Sequence, residues 1–165
     1  MCYPAWLPPL EFFNTYDGWQ DYVNCLYEIY LIDFIQNPIV INGKRIQQRR
    51  LPQIQGKDKA FWHICGHDNE QNLPKDFSRF ERIRWPKAII LNRDDTTIKI
   101  WQDNHYAKAG EKLQISIWFN EEYLVVLEPR NDYILFITAY CTDRNHKIRA
   151  LQKRFNEKCQ EGYVL

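Results

Sequence analysis

Apolar residues recur at helical spacing through Trp19, Val23, Leu26, Tyr27, Tyr30 and Phe34, with Asp17-Gly18 ahead of them and Pro38 behind. Steps of three and four put these side chains on one face. A core-packing helix capped by Asp17 is expected here. Farther along, the period shortens to two. Thr97-Ile98-Lys99-Ile100-Trp101 alternates, and residues 113–119 alternate again with Leu113, Ile115, Ile117 and Phe119 on one side. Alternation of this kind marks half-buried strands. Residues 123–127 and 133–140 differ, being apolar nearly throughout and rich in β-branched and aromatic side chains. Between them lie Glu128-Pro129-Arg130-Asn131-Asp132, which hold turn formers, so the pair reads as a β-hairpin. With no polar face, both strands are expected to be covered on both sides, in the middle of a sheet. Thr138 is the polar exception within the second run, and Tyr140 follows on the same face.

The remaining segments fill in around this hairpin. Residues 1–16, with Pro4, Pro8 and Pro9, suit an extended arm. Residues 39–41 suit a short strand, and Asn42-Gly43 a tight turn. Residues 68–76 and 103–112 read as polar loops, and 87–92, after Pro86, as a strand. A last helix over 144–160, capped by Thr142 or Asp143, turns Ile148, Leu151, Phe155 and Cys159 inward. The expected fold is α+β: a small antiparallel meander with flanking N-terminal and C-terminal helices packed mainly on one face. The 165 residues fit one domain, with an arm and helix over 1–38 and a core over 39–165.

Charge sharpens this division. The net charge is +1, but residues 1–41 hold five acids and neither Lys nor Arg, a net −5. The rest therefore carries +6. An anionic partner for the second part is one reading, and ordinary surface charge is the other. The five cysteines are widely spaced with no Cys-x-x-Cys pair, as expected of free thiols in a cytoplasmic protein. No apolar run approaches the ~18 residues of a membrane span. A Gly-rich phosphate loop, Gly-x-Ser-x-Gly and an acidic metal cluster are all missing from the sequence.

Two stretches carry candidate chemistry. In Ala60-Phe61-Trp62-His63-Ile64-Cys65-Gly66-His67-Asp68, a strand would align His63, Cys65 and His67, and a helix would pair the two histidines. A metal site would lack an obvious fourth ligand, so proton transfer by an imidazole is the stronger functional reading. A hydrogen-bonded core histidine is the plain alternative. In 76–86, Arg79 and Arg82 lie three apart after a capping Asp76, suited to a phosphate unless Glu81 neutralises them. Lys44-Arg45-Ile46-Gln47-Gln48-Arg49-Arg50 could likewise follow a phosphate backbone or be a solvated face.

Phe61-Trp62-His63, Arg79-x-x-Arg82-Ile83-Arg84-Trp85-Pro86, residues 123–127 and Thr138-Ala139-Tyr140 occur in this order. Together they resemble the phage-type nucleases of the barnase–EndoU–colicin–RelE-like group, over roughly residues 39–160. The resemblance implies a BECR or RelE-like fold and a metal-independent endoribonuclease, a toxin or phage-defence effector. It further implies no cofactor, RNA such as tRNA or mRNA as the partner, and an antitoxin or immunity protein as a second candidate partner. It marks His63, Arg79, Arg82, Trp85, Thr138 and Tyr140. His63, Arg79, Arg82, Thr138 and Tyr140 would then be catalytic. Arg49, Arg50, Trp85, Lys99, Trp101 and Arg130 would hold RNA, the tryptophans by stacking. The rival expectation is a non-catalytic RNA- or protein-binding module using the same surface.

Overall fold

The computed structural model describes residues 2–67 and 72–165. The expected loop over 68–76 therefore lies partly outside the described residues. The chain is α+β, with a six-stranded, mostly antiparallel sheet. Strands β1 (Val40–Ile41) and β2 (Lys44–Gln47) form a hairpin across Asn42-Gly43. Both turn residues have positive φ, 49° and 82°, which this Asn-Gly pair tolerates. Strands β3 (Ile98–Ala107), β4 (Gly110–Phe119), β5 (Tyr123–Pro129) and β6 (Tyr133–Cys141) form the expected meander. The order across the sheet is β1-β2-β6-β5-β4-β3, with β2 joined to β6 in parallel. As expected, the β5–β6 hairpin is central and β5 is buried nearly throughout.

The register of β6 positions the site. Its pairing with β2 stops at Gln47↔Leu135, so the second half of β6 has no strand on that side. Its pairing with β5 slips there too: Val126 faces Thr138, but Leu127 faces Phe136, leaving Ile137 as a bulge. Helices α2 (Lys59–Cys65) and α3 (Ser78–Glu81) lie against this uncovered half.

Helices α1 (Trp19–Tyr30), α2, α3 and α4 (Trp85–Leu91) build the larger core on one sheet face. The last helix, α5 (Asn145–Lys158), covers the other face. There Ile148, Leu151 and Phe155, half-buried as the expected stripe, pack on Trp101, Trp118, Leu124 and Val126. Thr142 does not cap α5. Its hydroxyl accepts from Trp118 Nε1 at 2.9 Å and donates to the Glu121 carbonyl at 2.8 Å. Asp17 does not cap α1 either: Gly18 occupies that place, and Asp17 donates its own N–H to Asp21. The turn over Leu31–Gln36 then widens α1 into a π-helical end.

Besides these caps and the placement of α5 on the second sheet face, two further expectations fail for identifiable reasons. Residues 87–91 are helical, with Asn92 as the C-cap, because Pro86 sits in the first turn of α4, where a missing N–H costs nothing. Within 103–112, residues 103–107 and 110–112 are strand around a two-residue turn, not one loop. Beyond Gln102, β3 and β4 pair only with each other. Much of this ribbon is open to water, so its sequence loses the apolar beat. Among the described residues, no helix is long and apolar enough to cross a membrane.

Candidate functional site

His63 lies on α2, which begins after Asp58 and ends at Gly66 in the left-handed region. Ala60, Phe61, Ile64 and Cys65 face the core, so the 3.6-residue period turns His63 outward and places Lys59 one turn before it. The start of α2 is held firmly. The Ala60 and Lys59 N–H groups donate to the carbonyls of Arg49 and Arg50 at 2.8 and 3.1 Å. These bonds satisfy two otherwise orphaned donors and draw the basic segment 49–50 alongside the helix. Asp58 is fully buried and accepts from Tyr30 Oη, Arg50 Nε and Gln53 Nε2 at 3.1, 2.7 and 3.0 Å.

Arg79 closes the other end. Its Nε donates to the Ile64 carbonyl at 2.9 Å, and its Nη2 donates to the His63 and Ala139 carbonyls at 2.5 and 2.6 Å. A cation is thus fixed at the C-terminal carbonyls of α2 and on the uncovered edge of β6. Gly66 is needed beside it. Its φ is +67°, and a Cβ there would stand 2.8 Å from the Arg79 side chain.

The result is an open cleft of about 410 Å³ lined by Ile54, Lys59, Trp62, His63, Gly66, His67 and Arg79. A smaller hollow of about 200 Å³, lined by Arg49, Lys59, Ala60, His63, Phe136 and Ile137, adjoins it. Among the described lining residues there is no carboxylate. Crowding of the His63 ring by protein atoms lowers its pKa, and Arg79, Lys59 and Arg49 push the same way. The imidazole is therefore held neutral and able to accept a proton at pH 7. His67 is more confined. Its Nε2 lies 2.9 Å from the Asn72 carbonyl, and Trp19 and Phe80 pack against its ring edge-on.

Of the residues expected in the site, His63, Arg79 and Arg49 come together. Arg82 does not join them. The short α3 ends at Glu81, so Arg82 leaves the helix, donates to the Ser78 carbonyl and to Glu122 Oε1 at 3.1 Å, and lies over the Trp85 ring. Asp76 accepts the Ser78 N–H at 2.8 Å, but from one residue before Phe77, which holds the cap position of α3. Thr138 and Tyr140 pair with Val126 and Leu124, whose side chains belong to the α5 face. Cross-strand partners share a face, so both residues lie on the opposite side of the sheet from α2, and neither lines the cleft. Tyr140 instead carries Lys147 over its ring.

The expected RNA contacts divide similarly. Trp85 and Trp101 are 1% and 2% exposed and cannot stack on a base without unpacking. Trp85 Nε1 donates to the Pro8 carbonyl at 3.1 Å. Arg50 is tied to Asp58, and Lys99 to Glu121 and Gln152 at 2.7 and 2.5 Å on the α5 face. Arg130 pairs with Glu128 at the β5–β6 turn, the far end of β6. His63 and Cys65 diverge, the first to the cleft and the second to the core. Among the described residues no group of three or more His, Cys, Asp or Glu could hold a metal ion together.

Lys59 joins the site although Gln55-Gly56-Lys57-Asp58-Lys59, with its glycine and mixed charges, has the composition of a loop. The usable signal was Asp58 as a helix start with Lys59 and His63 four apart. The acids of α1 line neither hollow; that helix braces α2 from the core side, through Tyr27 and Tyr30 against Phe61. No protein-family model, curated protein or solved structure matches the chain.

Proposed function

We propose that the chain is a metal-independent endoribonuclease whose phosphate-binding cleft is built from Arg79, Lys59 and Arg49 around His63. The observation that carries this reading is an outward-facing imidazole between Lys59 and Arg79 in the cleft and Arg49 in the adjoining hollow, with no described carboxylate in either and its pKa lowered by crowding and by these cations. Such a site attracts a phosphodiester and leaves a base in place to act on it.

In the reaction, His63 takes the proton of a ribose 2′-OH while the 2′ oxygen attacks the adjacent phosphorus. The new bond is O2′–P and the broken one is P–O5′. The leaving 5′ oxygen takes its proton from the imidazolium so formed or from water, giving a cyclic phosphate and a 5′-OH. Positioned proton transfer contributes about 10²–10⁴-fold. Lys59, Arg49 and the outer side of Arg79 offset the charge gathering on the phosphate. A BECR or RelE-like kinship is part of this proposal, supported by the antiparallel meander with helices on its face and by the residues quoted for the resemblance. A role as a toxin or defence effector, with an antitoxin partner, follows from that kinship.

A non-catalytic RNA-binding module has one observation in its favour: three donor contacts of Arg79 are spent on carbonyls. The two readings separate when purified protein is incubated with total RNA and tRNA in EDTA beside His63→Ala. Cleavage that survives chelation and disappears in the folded variant is the expected result. RNA bound but left intact by the wild type would favour the binding module.

A further inference from the structure

Two hollows share one ridge. Lys59 and His63 line both the open cleft that holds Arg79 and the smaller one floored by Ala60, Phe136 and Ile137. We propose that the smaller hollow is a subsite for a single nucleobase, placing its attached phosphate on the His63–Lys59 ridge. This rests on the RNA reading above and adds which part of the substrate is recognised.

Size is the first argument. At about 200 Å³ the hollow falls below the roughly 300–1,000 Å³ of pockets that enclose a whole drug-sized ligand. It suits one flat ring system with the sugar and phosphate left outside. Chemistry is the second. Ala60 and Phe136 are 6% and 3% exposed, so they give a fixed apolar floor, while Arg49 and Lys59 stand at the rim. Unpaired bases are held by apolar and aromatic surfaces and by guanidinium planes, with their phosphates on cations.

The third argument comes from the backbone. Ile137 is the residue that both ladders skip: β2 stops pairing at Leu135, and β5 passes from Thr138 to Phe136. Ile137 therefore has no partner in either ladder where it meets the hollow. In the proposed subsite, backbone polar groups at this break meet the edge of the base, which is how an apolar slot becomes selective. Bulges are frequent beside sites for this reason. The wide cleft on the other side of the ridge, lined among the described residues by Ile54 and the buried Trp62, has no such break in a strand ladder beside it.

The test uses the whole chain, the four 3′-nucleoside monophosphates and inorganic phosphate as probes, and titration by calorimetry or NMR. At least one monophosphate should bind ten-fold or more tighter than inorganic phosphate. Ala60→Leu, which adds side-chain bulk to the floor of the hollow, should erase that advantage and leave phosphate binding unchanged. Phe136→Leu, which takes the aromatic ring from the floor, should reduce the same advantage if the Ala60 variant misfolds. Monophosphates binding no better than phosphate would overturn the base subsite and leave the phosphate cleft standing. An advantage that persists in both variants would overturn it as well. Failure of every probe to bind would overturn the phosphate cleft beneath both proposals.

Discussion

Arg79 Nη2 donates to the carbonyl oxygen of His63 at 2.5 Å, so the residue offered as proton acceptor is tethered through its backbone to the cation that depresses its pKa. The contact fixes the end of α2, and the charge it brings adds to the crowding that already lowers the pKa of the ring. The same guanidinium reaches Ala139 on β6, so α2 cannot shift along the sheet edge without breaking it.

Replacing Arg79 by Met should cost about 2–3 kcal/mol, because three carbonyls lose a charged donor at the partly buried end of α2. Urea unfolding measures this. The apparent pKa of His63 should rise in the same variant, since one of the charges opposing its protonation is gone.

The His63 titration has a definite sign. Its folded-state pKa lies below the ordinary imidazole value of about 6.5, with crowding of the ring first and the cations after it. The unfolded chain therefore binds this proton at higher pH than the folded one. The stability tied to His63 is fully present above the ordinary value and is lost as pH falls through the folded one. NMR titration should place the midpoint below 6.5, and Lys59→Ala should move it upward. A wild-type midpoint above 6.5 would contradict the electrostatics of the cleft.

Asp58 and Arg50 should respond unequally to truncation. Asp58 is fully buried and Arg50 is 49% exposed in its side chain. Asp58→Ala leaves Tyr30, Gln53 and Arg50 without their acceptor and should cost about 3–5 kcal/mol. Arg50→Ala leaves Asp58 with two donors and access to water and should cost less than half as much. Equal losses in thermal melts would show that Arg50 is not the outer, dispensable partner.

Trp101→Ala should cost about 3–5 kcal/mol by opening a cavity under α5. Lys99→Ala should leave RNA affinity unchanged, since that ammonium is spent on Glu121 and Gln152 away from His63. A loss of RNA binding in Lys99→Ala, measured by filter retention, would extend the nucleic-acid surface onto the α5 face.

The centre of this fold is legible because β5 and β6 are covered on both faces and their sequences have no polar side to misplace. The β3–β4 tip is not, since a ribbon with both faces wet carries no period. Ala88-Ile89-Ile90-Leu91 is ambiguous in principle: so short an apolar run serves a buried helical turn or a strand equally well. In the site, His63 and Arg79 were readable as residues with suitable chemistry in basic surroundings. Their separation from Thr138 and Tyr140 was not, because it depends on which sheet face each residue occupies and on a bulge at Ile137 that no sequence period marks. Trp85 and Trp101 looked suited to stacking for the same reason that they are core residues: large apolar rings serve either purpose.

The central claim is that a ribose 2′-OH attacks its own phosphate in the His63 cleft. It is tested most directly with a defined RNA oligonucleotide, in EDTA, against the same strand bearing a single 2′-deoxy sugar at the mapped cleavage point. The RNA should be cut to a cyclic-phosphate end and a 5′-OH, and the deoxy strand should stay whole at that position. Equal cleavage of both strands, or a well-folded protein that cuts neither, would contradict it.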